Sequence, residues 1–317
     1  MLSVLEAANL LRSLDRVLIL THVRPDGDTV GCAAALCAGL RSLGKTAYLL
    51  PNPGLTDTTA PYFAPYAAPA EFVPDHVVST DIATVGLFPD NALPYADRVD
   101  LAIDHHPSFT HFGKANIVRP EAAACGELIY DLLAALGPIT AEMALPLYVA
   151  VSTDTGCFMY GNTTPATHRV AAALMETGID YQAANKRHFR TKSYKRFRLE
   201  ALIVANMDLH DGGKLAVTAI SLEDMARLGA DERDAEDIAA FLGQLEGVET
   251  SVTIRELQPG ECKLSVRTVD GGLNATRVCS LLGGGGHAAA AGCTVWGGVD
   301  DAKREILKAI RTVQHGG

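Results

Sequence analysis

The sequence predicts an α/β protein of two domains: a first domain with a mainly parallel sheet flanked by helices, and a smaller α+β second domain. Three observations carry this. Short apolar runs of strand length alternate with segments of helical period through the first half of the chain, which is the pattern of βαβ connections. At 317 residues the chain suits two cores better than one. Asp211-Gly212-Gly213-Lys214 then reads as a hairpin turn that opens a second α+β stretch.

Taken in order, residues 1–16 place Glu6 and Asp15 at amphipathic spacing, which predicts a helix and neither a signal nor a transit peptide. Residues 17–20 are an apolar run long enough for a buried strand. Residues 29–43 repeat small and apolar side chains at helical spacing and stop at Gly44. Residues 46–50, 77–78 and 99–103 are further strands, and 126–136 and 141–151 further helices. The stretch 51–74, rich in Pro, Ala and Tyr, reads as an irregular surface excursion. Residues 165–206 are helical and increasingly basic. The second domain then has strands near 215–220, 248–257 and 262–268 and a closing helix over 300–313. The expected division is 1–190, a helical linker over 191–206, and 207–317.

With 27 Lys and Arg against 37 Asp and Glu, the net charge is −10. That balance opposes a protein that coats long nucleic acid, but it leaves room for a small anionic substrate held through cations. No apolar stretch reaches the roughly 18 residues of a membrane helix. Seven cysteines without a CxxC pair point to neither a disulfide framework nor structural zinc, so the expectation is a soluble, reduced, cytoplasmic protein.

Four polar clusters stand at predicted element ends: His22-Val23-Arg24-Pro25-Asp26-Gly27-Asp28, Asp81 after residues 77–80, Asp104-His105-His106, and Thr153-Asp154-Thr155-Gly156. In parallel α/β sheets, ligands sit beyond the carboxyl ends of the strands. Each cluster has an ordinary alternative. Asp28 can cap a helix, Asp81 and Asp154 can cap turns, and the paired histidines can be surface residues. Together the clusters offer imidazole nitrogens and carboxylate oxygens without thiols, a set suited to Mn²⁺, Fe²⁺, Zn²⁺ or Mg²⁺. Several carboxylates would offset two divalent cations about 3.5–4 Å apart, an arrangement fit for attack on phosphorus. Alternation along an extended segment gives His105 and His106 different roles, one toward metal and one toward substrate.

In that order, HVRPDGD, the Asp of VVSTD, DHH and STDTG resemble the metal-binding motifs of the DHH phosphoesterase superfamily. SVRT and GGGGHAAAAG resemble its DHHA1 subfamily, especially the bacterial NrnA-type oligoribonuclease/pAp phosphatases. The resemblance spans nearly the whole chain. It implies an N-terminal DHH domain and a C-terminal DHHA1 domain. It also implies two divalent cations, most often Mn²⁺, one held by His22, Asp26 and Asp81 and the other by Asp28, Asp81, His105 and Asp154. His106 would then face the scissile phosphate and Asp104 would orient the site. Many relatives have Ser where Cys32 follows Gly31, and many carry a polar or basic residue soon after the histidine of GGGGH, where this chain has Ala288–Ala291.

The implied activity is hydrolysis of short oligoribonucleotides, including nanoRNA and linear dinucleotides such as pApA and pGpG, to 5′-mononucleotides by a metal-bridging hydroxide. A 3′-phosphoadenosine 5′-phosphate (pAp) phosphatase is the nearest alternative. A non-catalytic nucleotide sensor is the alternative of another class, expected had the motif positions decayed; all are filled. Oligomeric state stays open, with a homodimer compatible.

In the second domain, Gly283, Gly284, Gly285 and Gly286 allow close approach of backbone N–H groups to an anion. His287 adds a hydrogen bond or a stacking face, and Arg267 a bidentate grip on phosphate. A glycine run is otherwise a linker and a lone arginine otherwise a surface ion pair. The basic run 186–198, with Phe189, Tyr194 and Phe197 interleaved, reads as a solvated helix face with its aromatics turned inward, or as a guide for a short single strand.

Overall fold

Helix α1 (Val4–Ser13) begins where Ser3 and Glu6 close a reciprocal capping box. Strand β1 (Val17–Leu20) follows, four apolar residues buried on both faces. In this computed structural model, which describes residues 1–235, 238–269 and 271–315, the elements up to residue 191 form one unit. After β1 come α2 (Gly27–Ser42), β2 (Ala47–Leu49), the single turn α3 (Ala60–Phe63), β3 (His76–Thr80) and β4 (Val99–Asp104). They are followed by β5 (Ala115–Val118), α4 (Cys125–Leu136), α5 (Ala141–Asp154), α6 (Pro165–Glu176) and α7 (Tyr181–Phe189).

The five strands are parallel in the order β2-β1-β3-β4-β5. Strand alternation divides the core. Val17, Ile19, Val78, Leu101 and Ile103 pack against α1, α2, α4 and α5. Leu18, Leu20, Val77, Val99 and Ala102 face Ile82, Phe88, Ala92 and Phe109, on a side covered by 3₁₀ turns and loops. One strand is not anticipated by the sequence, and one expectation changes. Strand β5 is short and only Ile117 is buried, so it carried no apolar run to be read. The excursion 51–74 is not all surface, because Phe63 and Tyr66 enter the main core.

The second unit begins at Lys192. It contains α8 (Tyr194–Asn206), β6 (Asp208–His210), β7 (Leu215–Ile220), α9 (Leu222–Leu228), β8 (Thr250–Gln258), β9 (Glu261–Thr268), α10 (Ala275–Ser280), β10 (Gly285–His287), β11 (Ala290–Trp296) and α11 (Val299–His315). Its sheet runs β10-β11-β9-β8-β7-β6, with β7 and β8 parallel and the other pairs antiparallel. Helices α10 and α11 cover one face. On the other, Leu199 and Ile203 of α8 pack with Ala216 and Ile220 of β7, so α8 contributes to this unit's core. Tyr194 and Phe197 are 78% and 59% exposed, so these aromatics are not turned inward. Among the described residues, no helix is long and apolar enough to cross a membrane.

Candidate metal centre

The sheet order reverses direction between β1 and β3, and at such a switch point the loops diverge and leave a crevice beyond the strand ends. His22 follows β1, Asp81 follows β3, and Asp104 closes β4. Asp26 is the N-cap of α2, its Oδ1 accepting from the N–H groups of Asp28 and Thr29 at 3.0 and 3.1 Å. The capping role open to Asp28 thus belongs to its neighbour. Gly27 brings this turn against α5: a Cβ there would lie 2.3 Å from Thr153 Oγ1, beside Asp154.

Asp28 is buried and reaches across to α4, whose N-terminus has no side-chain cap of its own. Its Oδ2 accepts from the Cys125 N–H at 2.7 Å and its Oδ1 from the Gly126 N–H at 3.0 Å and the Cys32 thiol at 3.2 Å. One carboxylate therefore satisfies two orphan amides of a helix 97 residues away. Asp81 adopts a left-handed backbone (φ +58°), held as its N–H donates to the Ile103 carbonyl at 2.9 Å. Aspartate tolerates that conformation better than most residues.

The imidazoles are fixed by what their Nδ1 atoms do. His105 Nδ1 donates to the Ala122 carbonyl at 3.1 Å, which turns Nε2 toward Asp81, Asp154 and Asp28 oxygens at 3.5, 3.6 and 3.8 Å. Asp104 Oδ1 accepts from the His105 and His106 N–H groups at 2.7 and 3.2 Å and from His106 Nδ1 at 2.8 Å. His22 Nε2 lies 3.6 Å from Asp26 Oδ1 and 3.9 Å from Asp81 Oδ2.

Two donor groups result, His22–Asp26–Asp81 and Asp28–His105–Asp154. Asp81 with His105 and His106 forms a third grouping, but there the His106 Nδ1 is already committed to Asp104. The arrangement needs a cation. Three carboxylate oxygens gather around His105 Nε2 at 3.5–3.8 Å, beyond hydrogen-bond distance, and negative groups brought this close gain from positive charge placed among them. Asp81 Oδ1 is buried with no hydrogen-bond partner. Burial pushes the Asp28 carboxyl far above its ordinary value, helped by Asp154 and Asp26, and burial with Asp28 does the same to Asp81. Burial also raises Asp154, against the pull of His105. The donors, all oxygen and imidazole nitrogen, fit a divalent metal.

The six positions that the sequence suggested as metal ligands thus meet in the first unit, with Asp104 and His106 beside them. Arg267 and His287 lie in the second: Arg267 pairs in register with Ala290, and Ala290 with His287, which places both in one row across β9, β11 and β10, with one strand between them. Gly283 has a left-handed φ of +75° beyond α10, whereas Gly285 and Gly286 are strand residues of β10. The partners that hold the site, Cys32, Ala122, Cys125 and Gly126, left no trace in the sequence beyond the Ser-to-Cys difference at 32. Three are backbone donors or acceptors supplied from another element.

A parallel sheet that gathers carboxylates and imidazoles at its switch point defines an α/β protein built around a divalent-metal centre. The chain belongs to the DHH family: the model of its N-terminal domain matches residues 16–151, and the model of the DHHA1 domain matches residues 212–315. A bifunctional oligoribonuclease and PAP phosphatase NrnA of Thermus thermophilus is 36% identical over 299 residues, covering 93% of this chain and 89% of that protein. The protein of the same name from Bacillus subtilis is 25% identical over 94% of this chain and 95% of its own length. The crystal structure of an exopolyphosphatase-related protein from Bacteroides fragilis superposes with a TM-score of 0.83 at 23% identity, covering 98% of this chain and 96% of that one.

Proposed function

We propose that this protein hydrolyses short oligoribonucleotides, nanoRNA and linear dinucleotides such as pApA and pGpG among them, to 5′-mononucleotides in the cytoplasm. The observation that carries the reading is the paired donor set, with Asp81 shared toward both halves and His106 beside it. In this reading two divalent cations, Mn²⁺ first, are held by His22, Asp26 and Asp81 and by Asp28, Asp81, His105 and Asp154. When bound they supply Lewis-acid activation of water and neutralise phosphate charge. The chain's own part is orientation and proton handling. Asp104 fixes His106 as the Nδ1–H tautomer, which turns Nε2 outward to donate, when protonated, to a phosphoryl or leaving oxygen. Arg267, His287 and the Gly283–Gly286 run hold the nucleotide.

A pAp 3′-phosphatase activity is the second reading, favoured because the relatives from Thermus thermophilus and Bacillus subtilis bear both activities in their name. Turnover of a 5′-phosphorylated diribonucleotide, pAp and pyrophosphate with Mn²⁺, run in parallel, tests both. Mononucleotide release from the dinucleotide is expected. Cleavage of pyrophosphate alone would overturn the substrate class, and no turnover would leave a nucleotide sensor. Arg267→Ala should raise KM more than it lowers kcat if Arg267 only holds substrate.

A further inference from the structure

Directly after Asp154 the backbone enters a conformation that side-chain-bearing residues rarely adopt. Gly156, Cys157 and Phe158 are successive left-handed residues, with φ of +55°, +57° and +67°. A run of this kind persists where its surroundings over-determine it. Here the Cys157 N–H donates to the Ser152 carbonyl at 2.7 Å, and the N–H groups of Met159 and Tyr160 both donate to the Thr155 carbonyl at 3.0 Å. The Phe158 N–H donates to Thr155 Oγ1 at 3.2 Å. Asn162 Nδ2 then bridges the Asp154 and Ala123 carbonyls at 3.1 and 3.0 Å, tying the turn to the segment that leads into α4.

The turn sorts its side chains to opposite sides. Phe158 turns in and stacks on His168, with ring centroids 5.3 Å apart. Met159 and Tyr160 are held outward, 79% and 60% exposed. Tyr160 lies over Gly156, where a Cβ would come within 2.4 Å of Cε1 and Cζ, so only glycine admits the ring at that place. The phenol is thus seated against backbone two residues beyond a metal-ligand position, with much of its surface open. In the free protein, two large apolar side chains held in water by a strained turn gain nothing.

We infer that Tyr160, with Met159 beside it, is a nucleobase-stacking subsite of the metal centre. It takes the planar base of a nucleotide whose phosphate lies at the Asp154 side. An aromatic face accepts any base, because every base has a π-face, and a flexible thioether conforms to either ring size. The subsite therefore selects for a base without selecting which one. This rests on the oligoribonucleotide reading above.

The test compares kcat/KM for a 5′-phosphorylated diribonucleotide and for the same compound made abasic at each position in turn. It uses wild type, Tyr160→Ala and Tyr160→Phe. Wild type is expected to prefer the intact compound over one abasic form by on the order of tenfold. Tyr160→Ala should bring that ratio close to one, and Tyr160→Phe should retain it. An unchanged ratio in Tyr160→Ala overturns the inference while leaving the proposed function standing. If wild type turns over no dinucleotide, the proposed function falls instead. Calorimetric binding of adenosine 5′-monophosphate and ribose 5-phosphate to the same three metal-loaded proteins then reads stacking directly. Tyr160→Ala should weaken only the first, and equal affinities for the first in all three proteins would refute the subsite.

Discussion

His105 and His106 are neighbours with the same side chain, yet their Nδ1 partners send them to different work. A backbone carbonyl holds His105 with Nε2 toward carboxylates, and Asp104 holds His106 with Nε2 free of them. His106→Ala should therefore lower kcat by roughly 10²–10⁴-fold with bound metal unchanged. Metal content measured beside turnover checks this, and wild-type turnover would remove His106 from the chemistry. Asp81→Ala should lose both metal and activity with the circular dichroism spectrum intact, since Asp81 faces both donor groups. Cys32 acts through Asp28, whose Oδ1 it meets at 3.2 Å. Cys32→Ala should weaken divalent-metal binding by about tenfold, within the range for lost support of a ligand, and Cys32→Ser should restore it because the hydroxyl can donate in the same place. Equal affinities in the two variants would mean that the amides of Cys125 and Gly126 suffice.

Helix α2 owes its place to small residues, and that dependence can be measured. Gly27→Ala puts a methyl 2.3 Å from Thr153 Oγ1, so the first turn of α2 must move away from the end of α5. A stability loss of about 1–3 kcal/mol and weaker metal binding are expected together in urea melts and titrations, and loss of stability alone would separate the packing from the site. Helix α7 carries a pH dependence of its own. Its His188 stacks on Tyr62 with Nε2 unpartnered, and burial with the nearby Arg187 lowers its pKa to about 4. The fold favours the neutral ring, so this contribution is full above the unfolded value near 6.5 and is lost as pH falls toward 4. Between pH 7 and 5, wild type should lose more stability than His188→Gln, and parallel losses would contradict the assignment. That these carboxylates and imidazoles gather at one place was legible in the sequence because each motif ends or opens an element with a clear pattern: β1 and β4 are apolar runs, β3 holds Val77 and Val78, and α2 and α5 repeat small or apolar residues. What could not be read depends on contacts distant in sequence. Asp28 capping α4, the Ala122 carbonyl on His105 and the burial of Phe63 within a proline-rich stretch are set by tertiary packing, and local period carries no sign of them.

The division of labour along the whole chain follows from where its charges are confined. Among the described residues, every carboxylate–imidazole group that could hold a metal lies in Met1–Thr191, although the net charge of −10 belongs to the full sequence. In that unit, Asp154 and Asp26 add to the burial that raises the Asp28 carboxyl, and Asp28 adds to the burial that raises Asp81, so the metal-free fold carries a repulsion that cations relieve. Binding to the native state alone stabilises by about 2.7 kcal/mol at a metal concentration one hundred times Kd, which for a unit of this size raises the unfolding midpoint by roughly 5–10 °C. Calorimetry of the full chain with Mn²⁺ and with chelator should therefore show the transition of Met1–Thr191 moving by that amount. The transition of the part from Lys192 onward, whose two cores contain no member of the donor set, should stay in place. The same scan distinguishes the two directions of dependence. If chelation moved the second transition as far as the first, stability from metal would not be local to its ligands, and a ligand or a stabilising contact outside Met1–Thr191 would have to exist. If chelation moved neither, the buried carboxylates would be tolerated as protonated acids, and the case for a resident cation at this centre would fail with them.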